Sequence, residues 1–375
     1  MAADCHVHMI LDGVDWKNAI RRHEIAPDIP WIRTQLARYQ AQGYTYLRDG
    51  GDRWGAGAAA RAIAWEYGIE YRTPLAPLCM EGHYGGFIGL TYRNLKEYAQ
   101  LVRDMIAVLP GEGTAGRETR PLRIDREGTA GRETRPLPTQ ECWTTSQVGN
   151  ALPPAHAGER ILRFAQNDMG ECNDTGRVRE VMTTDAVGAH CLPGHPGGAD
   201  FIKIMISGLM DFNRFGALTL PSLPREHIRE LIAIAHDAGM AVMAHANGPD
   251  AVIAAAEAGV DSVEHGAYLN DEALSAMAEN QVVWVPTLST VANLMGKGRF
   301  PEDQVRKILE CNTENVAAFH RMGGLIAPGS DAGAWAVPHG ADTEYDLLTG
   351  LGIDKESLDR GATVIQKRFR REDPI

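Results

Sequence analysis

A parallel (β/α)8 TIM barrel, an α/β fold, is what the sequence predicts, on three observations. Short apolar strands alternate with amphipathic helices through most of the chain, and eight such strands can be counted. Several of the helices stop at a glycine just ahead of the next strand. The length of 375 residues would allow two or three domains, but barrels of this kind often exceed about 250 residues as one unit.

The strands are read in order at residues 4–11 (DCHVHMIL), 44–50 (YTYLRDG), 71–79 (YRTPLAPLC) and 201–208 (FIKIMISG). Four more follow at 241–246 (AVMAHA), 261–266 (DSVEHG), 282–289 (VVWVPTLS) and 325–332 (LIAPGSDA). Each is rich in β-branched or apolar residues and too short for a helix. Helical periodicity fills the gaps at 56–68, 94–109, 225–239, 250–259, 270–280 and 301–323.

One stretch breaks the rhythm. Residues 111–198 lose periodicity and become rich in Gly, Thr, Arg, Pro and Asn. EGTAGRETRPL occurs at 112–122 and again at 127–137, which reads as duplicated or inserted sequence without a packed core. The expected organisation is a first barrel part at 1–110 with strands 1–3, a poorly ordered insertion at 111–198, and a second barrel part at 199–375 with strands 4–8. The insertion falls between helix 3 and strand 4, a connection on the face opposite a barrel's active site. His156, His190, His195, Cys142, Cys172 and Cys191 within it are therefore weak metal candidates.

The composition is 44% hydrophobic with a formal net charge of −12 at pH 7. An acidic chain of this kind argues against a nucleic-acid surface. No stretch approaches the roughly 20 apolar residues of a membrane span, and no basic-then-apolar leader is read. The six cysteines are scattered, with no C-x-x-C pair, which points to a reducing cytoplasm.

The chemistry lies at the strand ends. His6 and His8 share one face of an extended strand, where two imidazoles can grip one metal ion. Lys203 sits between Ile202 and Ile204 in an otherwise apolar strand, an expensive place for an unmodified, unpaired ammonium. The fifth and sixth strands end in His245 and His265, and the eighth in Asp331. In a parallel barrel all strand C-termini share one rim, so four histidines, a lysine and a carboxylate converge on one mouth.

This order of residues, with the wording DCHVHM, GADFIKIMISG, VMAHANG, GVDSVEHG and PGSDAG, resembles the amidohydrolase superfamily. It is closest to the imidazolonepropionase-like and prolidase-like (Xaa-Pro dipeptidase-like) branch. The resemblance covers residues 4–110 and 199–365. It implies a binuclear centre in which His6 and His8 bind one metal and His245 and His265 the other. Lys203, carbamylated by CO2, would bridge them, and Asp331 would bind the first metal and act as the catalytic acid–base group. Zn2+ is the first expectation, with Mn, Fe or Co also suited to these ligands. The implied reaction is hydrolysis of an amide C–N bond in a dipeptide, N-acyl amino acid or cyclic amide.

Substrate contacts are expected from His83 and Tyr84 in the glycine-rich CMEGHYGGF loop, and from Asn247, Tyr268 and His339 beyond strand ends. Arg48 and Asp49 resemble the second-strand motif of the family, with the arginine supporting the barrel. Trp54, Trp284 and Trp335 are candidate pocket walls. Most relatives carry a small β-sandwich domain, which the resemblance does not find here. The expected partner is a small-molecule substrate, with no nucleic acid and no membrane, and a homo-oligomer is compatible with the resemblance. The alternatives are a mononuclear deaminase, a lactonase or phosphotriesterase-like hydrolase, or a barrel inactivated by its insertion. Lys203 argues against the deaminase, since a mononuclear site needs no bridge.

Overall fold

The computed structural model describes residues 2–107 and 198–370. The expected insertion at 111–198, with its three histidines and three cysteines, lies outside the described residues, apart from residue 198. The elements run β1 (Ala2–Val7), α1 (Trp16–His23), α2 (Ile29–Ala41), β2 (Tyr44–Asp49), α3 (Ala56–Ala64), β3 (Glu70–Arg72), β4 (Leu78–Met80), β5 (Leu90–Tyr92) and α4 (Leu95–Ile106). After the undescribed stretch come β6 (Ile202–Met205), α5 (Arg225–Asp237), β7 (Val242–Ala246), α6 (Pro249–Glu257), β8 (Ser262–His265) and α7 (Asp271–Glu279). The chain continues through β9 (Val283–Val285), α8 (Ser289–Ala292), α9 (Glu302–Arg321), β10 (Leu325–Ile326), α10 (Thr343–Gly350) and α11 (Lys355–Arg368).

The strands form a (β/α)8 barrel. All named pairings are parallel, in a ribbon β1-β2-β3 and a seven-stranded sheet β10-β9-β8-β7-β6-β4-β5. Single hydrogen bonds close the ring. Cys5 N donates to Pro328 O (2.8 Å), Asp331 N to His6 O (2.7 Å) and His8 N to Ala332 O (2.7 Å), so the segment after β10 runs beside β1. At the other seam Asp200 N donates to Thr73 O (3.0 Å), and the Asp200 carboxylate accepts from Thr73 N (2.9 Å).

The third strand, expected as one run at 71–79, is broken into β3 and β4. Pro74 and Pro77 supply no N–H to a ladder, which explains the break. The eighth strand pairs regularly over two residues only. Helices α1, α2, α8, α10 and α11 and strand β5 were not among the expected elements. Side chains cap three of them: Asp15 accepts from Lys17 N and Asn18 N, Asp28 from Trp31 N, and Asp354 from Ser357 N. The expected glycine stops at Gly239 and Gly259 take φ of +75° and +82°, the left-handed conformation that ends a helix without a Cβ penalty.

Alternation sorts the strand residues. Ile202, Ile204, Val242, Ala244 and Val263 pack outward in the apolar layer beneath the helices. Phe201, Met243, Val283 and Val285 pack inward with Cys5 and Tyr46, and α11 closes this layer with Ala362 and Ile365, together with Phe369 just after the helix. Burying each such side chain contributes roughly 1.5–3 kcal/mol. Lys203, between two outward isoleucines, therefore points into the barrel. The chain leaves the described barrel after α4 and returns beside it, where Ala199 N donates to Met105 O (2.7 Å). None of the described helices is long and apolar enough to cross a membrane.

Candidate metal centre

Four histidines meet at the barrel mouth. His6 Nε2 lies 3.3 Å from His8 Nε2, and the His6 ring centroid is 5.0 Å from that of His265. The rings of His245 and His265 are 4.6 Å apart. Asp331 Oδ1 stands 3.6 Å from His6 Nε2 and 3.5 Å from His8 Nε2. Ligand atoms of His6, His265 and Asp331 lie within 4.8 Å of one another, close enough to share an ion.

Backbone geometry aims these groups. By alternation His265 would follow Val263 outward, but its φ is +69°, which turns the residue at the strand end. Trp284 Nε1 donates to the His265 carbonyl (2.9 Å) and holds that turn. Asp331 also adopts a positive φ, +56°, and Asp331 N is tied to His6 O. Non-glycine residues in this region are strained and cluster at functional sites. The His8 ring fits only because residue 50 is glycine: a Cβ there would stand 2.2 Å from His8 Cε1.

Hydrogen bonds assign the imidazole tautomers. His6 Nδ1 faces Glu264 Oε2 at 2.8 Å; a carboxylate accepts, so Nδ1 carries the hydrogen and Nε2 keeps its lone pair. His245 Nε2 donates to the Gly208 carbonyl (3.2 Å), leaving Nδ1 free. His265 Nδ1 is bonded to the Thr287 hydroxyl (2.8 Å). Burial drives His8 and His245 down to about 3, and His6 and His265 well below the ordinary histidine value. All four rings are neutral near pH 7, the form that ligates. Burial likewise pushes the Asp331 carboxyl up to about 8 and the Lys203 ammonium down to about 8.

The residues fit a cation. His8 Nδ1, Lys203 Nζ and Asp331 Oδ1 are buried with no hydrogen-bond partner, a costly arrangement unless something else meets them. Once Asp331 is ionised, its oxygen and the imidazole lone pairs facing it repel, and a divalent ion between them would reverse that sign.

Beneath the mouth the charged groups are paired, while the Tyr46 hydroxyl in the same layer has no hydrogen-bond partner. Arg48 is buried and donates from Nε to Cys5 O (2.7 Å), from Nη1 to Ser262 Oγ (2.9 Å) and from Nη2 to Glu264 Oε1 (2.8 Å). Ser262 Oγ donates to the same Glu264 oxygen (2.6 Å). Asp49 accepts from Met9 N and Thr73 Oγ1 at 3.1 Å each. Asp4 accepts from Ser330 N (2.9 Å) and Ser330 Oγ (2.5 Å), fixing the turn that carries Asp331. Glu264, Thr287 and Asp4 were not singled out in the sequence. Glu264 had a signal, an acid in a buried strand directly before a candidate ligand.

The five expected substrate contacts divide. Tyr84 is at the mouth, its ring 4.8 Å from that of His245, and His83 beside it is half-buried, with Nδ1 3.3 Å from Glu81 O. Tyr268 is half-buried and meets Phe215 edge-on at 5.4 Å. Asn247 is fully buried; its amide donates to Gly208 O (3.0 Å) and accepts from Ala267 N (3.0 Å). His339 is buried too, donating from Nε2 to Leu11 O (2.8 Å) and accepting at Nδ1 from Tyr39 OH (3.0 Å). The polar atoms of Asn247 and His339 thus bond to neighbouring loops. Trp284 is no pocket wall; it packs outward on Phe319 at 5.5 Å.

Known proteins similar to this chain can be set beside this arrangement. Residues 182–334 match the model of the amidohydrolase family. The chain is similar to that family over those residues. The chain is 33% identical over 134 residues to uncharacterised proteins of Mycobacterium tuberculosis and Mycobacterium bovis, a match covering 34% of this chain and 36% of theirs. The matched part thus spans about a third of those relatives' length. Among solved structures it is similar to a Xaa-Pro dipeptidase with bound methionine, at a TM-score of 0.61 and 16% identity, over 98% of this chain and 75% of that one. It is also similar to the ochratoxinase of A. niger, at a TM-score of 0.59 and 15% identity, over 97% of this chain and 68% of that one. These likenesses show the shared barrel.

Proposed function

We propose that this chain is an amidohydrolase of the prolidase-like branch, a metal-dependent hydrolase of an amide C–N bond acting on a dipeptide, N-acyl amino acid or cyclic amide. The observation that carries the reading is the convergence of His6, His8, Lys203, His245, His265 and Asp331, with buried polar atoms there unpartnered. His6 and His8 would hold one divalent ion, Zn2+ by ligand preference, and His245 and His265 a second. Such ions supply Lewis-acid polarisation of a carbonyl and bring water's pKa toward neutrality.

The protein's own groups prepare the rest. With its pKa lowered to about 8 by burial, Lys203 keeps part of its population as the free amine near neutrality. That amine adds to CO2, forming an N–C bond and releasing one proton, and a cation becomes an anionic oxygen donor suited to bridging. Asp331 takes a proton at its carboxylate from the attacking water and delivers it to the leaving nitrogen. Burial raises its affinity for that proton. Tyr84, its ring tilted beside that of His245, supplies an apolar wall for the substrate.

The test is metal content by mass spectrometry after purification with bicarbonate, beside Lys203→Ala, followed by a hydrolysis screen against dipeptides, N-acyl amino acids and lactams. Two ions per chain, falling to one or none in the variant, support the bridged centre. A wild type that holds only one ion, unchanged by loss of Lys203, overturns it in favour of a mononuclear site.

A further inference from the structure

The four histidines at the mouth are not held alike. His245 leans on a backbone carbonyl and His265 on a hydroxyl, while His8 Nδ1 is buried without a hydrogen-bond partner. His6 is the one backed by a carboxylate, Glu264 Oε2 at 2.8 Å. That carboxylate is fully buried, and Arg48 and Ser262 both donate to its other oxygen. The guanidinium is in turn anchored on Cys5 O and lies 4.4 Å from the Phe369 ring centroid. β1, β2 and β8 therefore meet at one paired charge directly under one ligand.

A carboxylate on the far nitrogen of an imidazole fixes the tautomer and raises electron density at the near nitrogen. A hydroxyl or a peptide carbonyl orients the ring without a full negative charge. We infer that Glu264, held by Arg48 and Ser262, is a positioning residue that makes the His6 end of the cluster the tighter of two cation sites. This rests on the reading of the cluster as a metal centre. Arg48 supplies the countercharge that lets the carboxylate stay buried there, and it touches no ligand itself.

The rival explanation is a structural cross-link, which would change stability while leaving the two sites equally affected. The experiment titrates metal-free protein with Co2+ in bicarbonate buffer, followed by calorimetry and visible absorption. Wild type is expected to fill a tight and a weaker class. In Glu264→Gln, which keeps the shape and removes the charge, the tight class weakens about 10–100-fold while the weaker one holds. Equal weakening of both classes, or of neither, overturns the inference.

Should that variant fail to fold, Arg48→Met/Glu264→Gln removes both charges and strands neither; the same outcomes apply. Wild type alone gives a further readout. Long-range 15N NMR of the metal-free protein should show His6 protonated at Nδ1, and a ring protonated at Nε2 overturns the inference. Wild type that binds no Co2+ brings down the metal-centre reading itself, whereas a normal wild type with an unchanged Glu264→Gln brings down this inference alone.

Discussion

The mouth of the barrel and the interior just beneath it are built from the same strands, and both bury charged side chains. They are finished in opposite ways. Below, Arg48, Ser262, Glu264 and Asp49 find partners inside the protein. Above, Lys203 Nζ, Asp331 Oδ1 and His8 Nδ1 have none. A residue's burial and charge do not separate scaffold from site here. What separates them is whether the folded chain completes the hydrogen bonding or leaves it for something that arrives later.

The largest break in this contrast should come from the lower layer. Arg48→Met leaves Glu264 as an uncompensated buried charge, and a loss of about 3–5 kcal/mol in denaturant unfolding is expected. A loss below about 1 kcal/mol would mean the layer is not held by its ion pair.

A smaller effect is expected with pH, and His339 isolates it. Burial lowers this ring to about 4, against an ordinary value near 6.5 in the unfolded chain. The unfolded state therefore takes up the proton first as pH falls. The stability tied to the neutral ring is complete above about 6.5 and is lost progressively toward about 4. Melting temperatures across that window should fall less steeply in His339→Phe than in wild type; parallel curves would refute the assignment.

The smallest effect on folding is expected at the mouth itself. Burial raises the Asp331 carboxyl to about 8, so in metal-free protein its ionisation costs stability as pH rises from about 4 toward 8. Asp331→Asn removes that cost. Its metal-free melting temperature at pH 7 should equal or exceed that of wild type while hydrolysis is lost. A clear drop in melting temperature would place Asp331 with the scaffold.

The sequence made the upper layer more legible than the lower. The H-x-H pair, Lys203 amid isoleucines and the terminal residues of the later strands all stand out against apolar runs, and strand alternation says where they converge. Arg48 was recognised as support, but its partners lie far along the chain and no spacing connects them. Glu264 was overshadowed by His265 beside it. Asn247 and His339 show the converse limit: a polar residue beyond a strand end is visible, but which way its hydrogen-bonding atoms face depends on loops folded around it. The third strand read as one because its apolar pattern continues through two prolines that interrupt the ladder. Helices α1 and α2 escaped notice, although each opens on an aspartate cap.

The bond between Ala199 N and Met105 O carries a consequence for strand register. The described barrel leaves off and resumes at adjacent points, and the strand pairings among the described residues are made on either side of that gap. Loop closure costs rise only slowly with added length. The described strands can therefore keep their register whatever length of chain joins those two points.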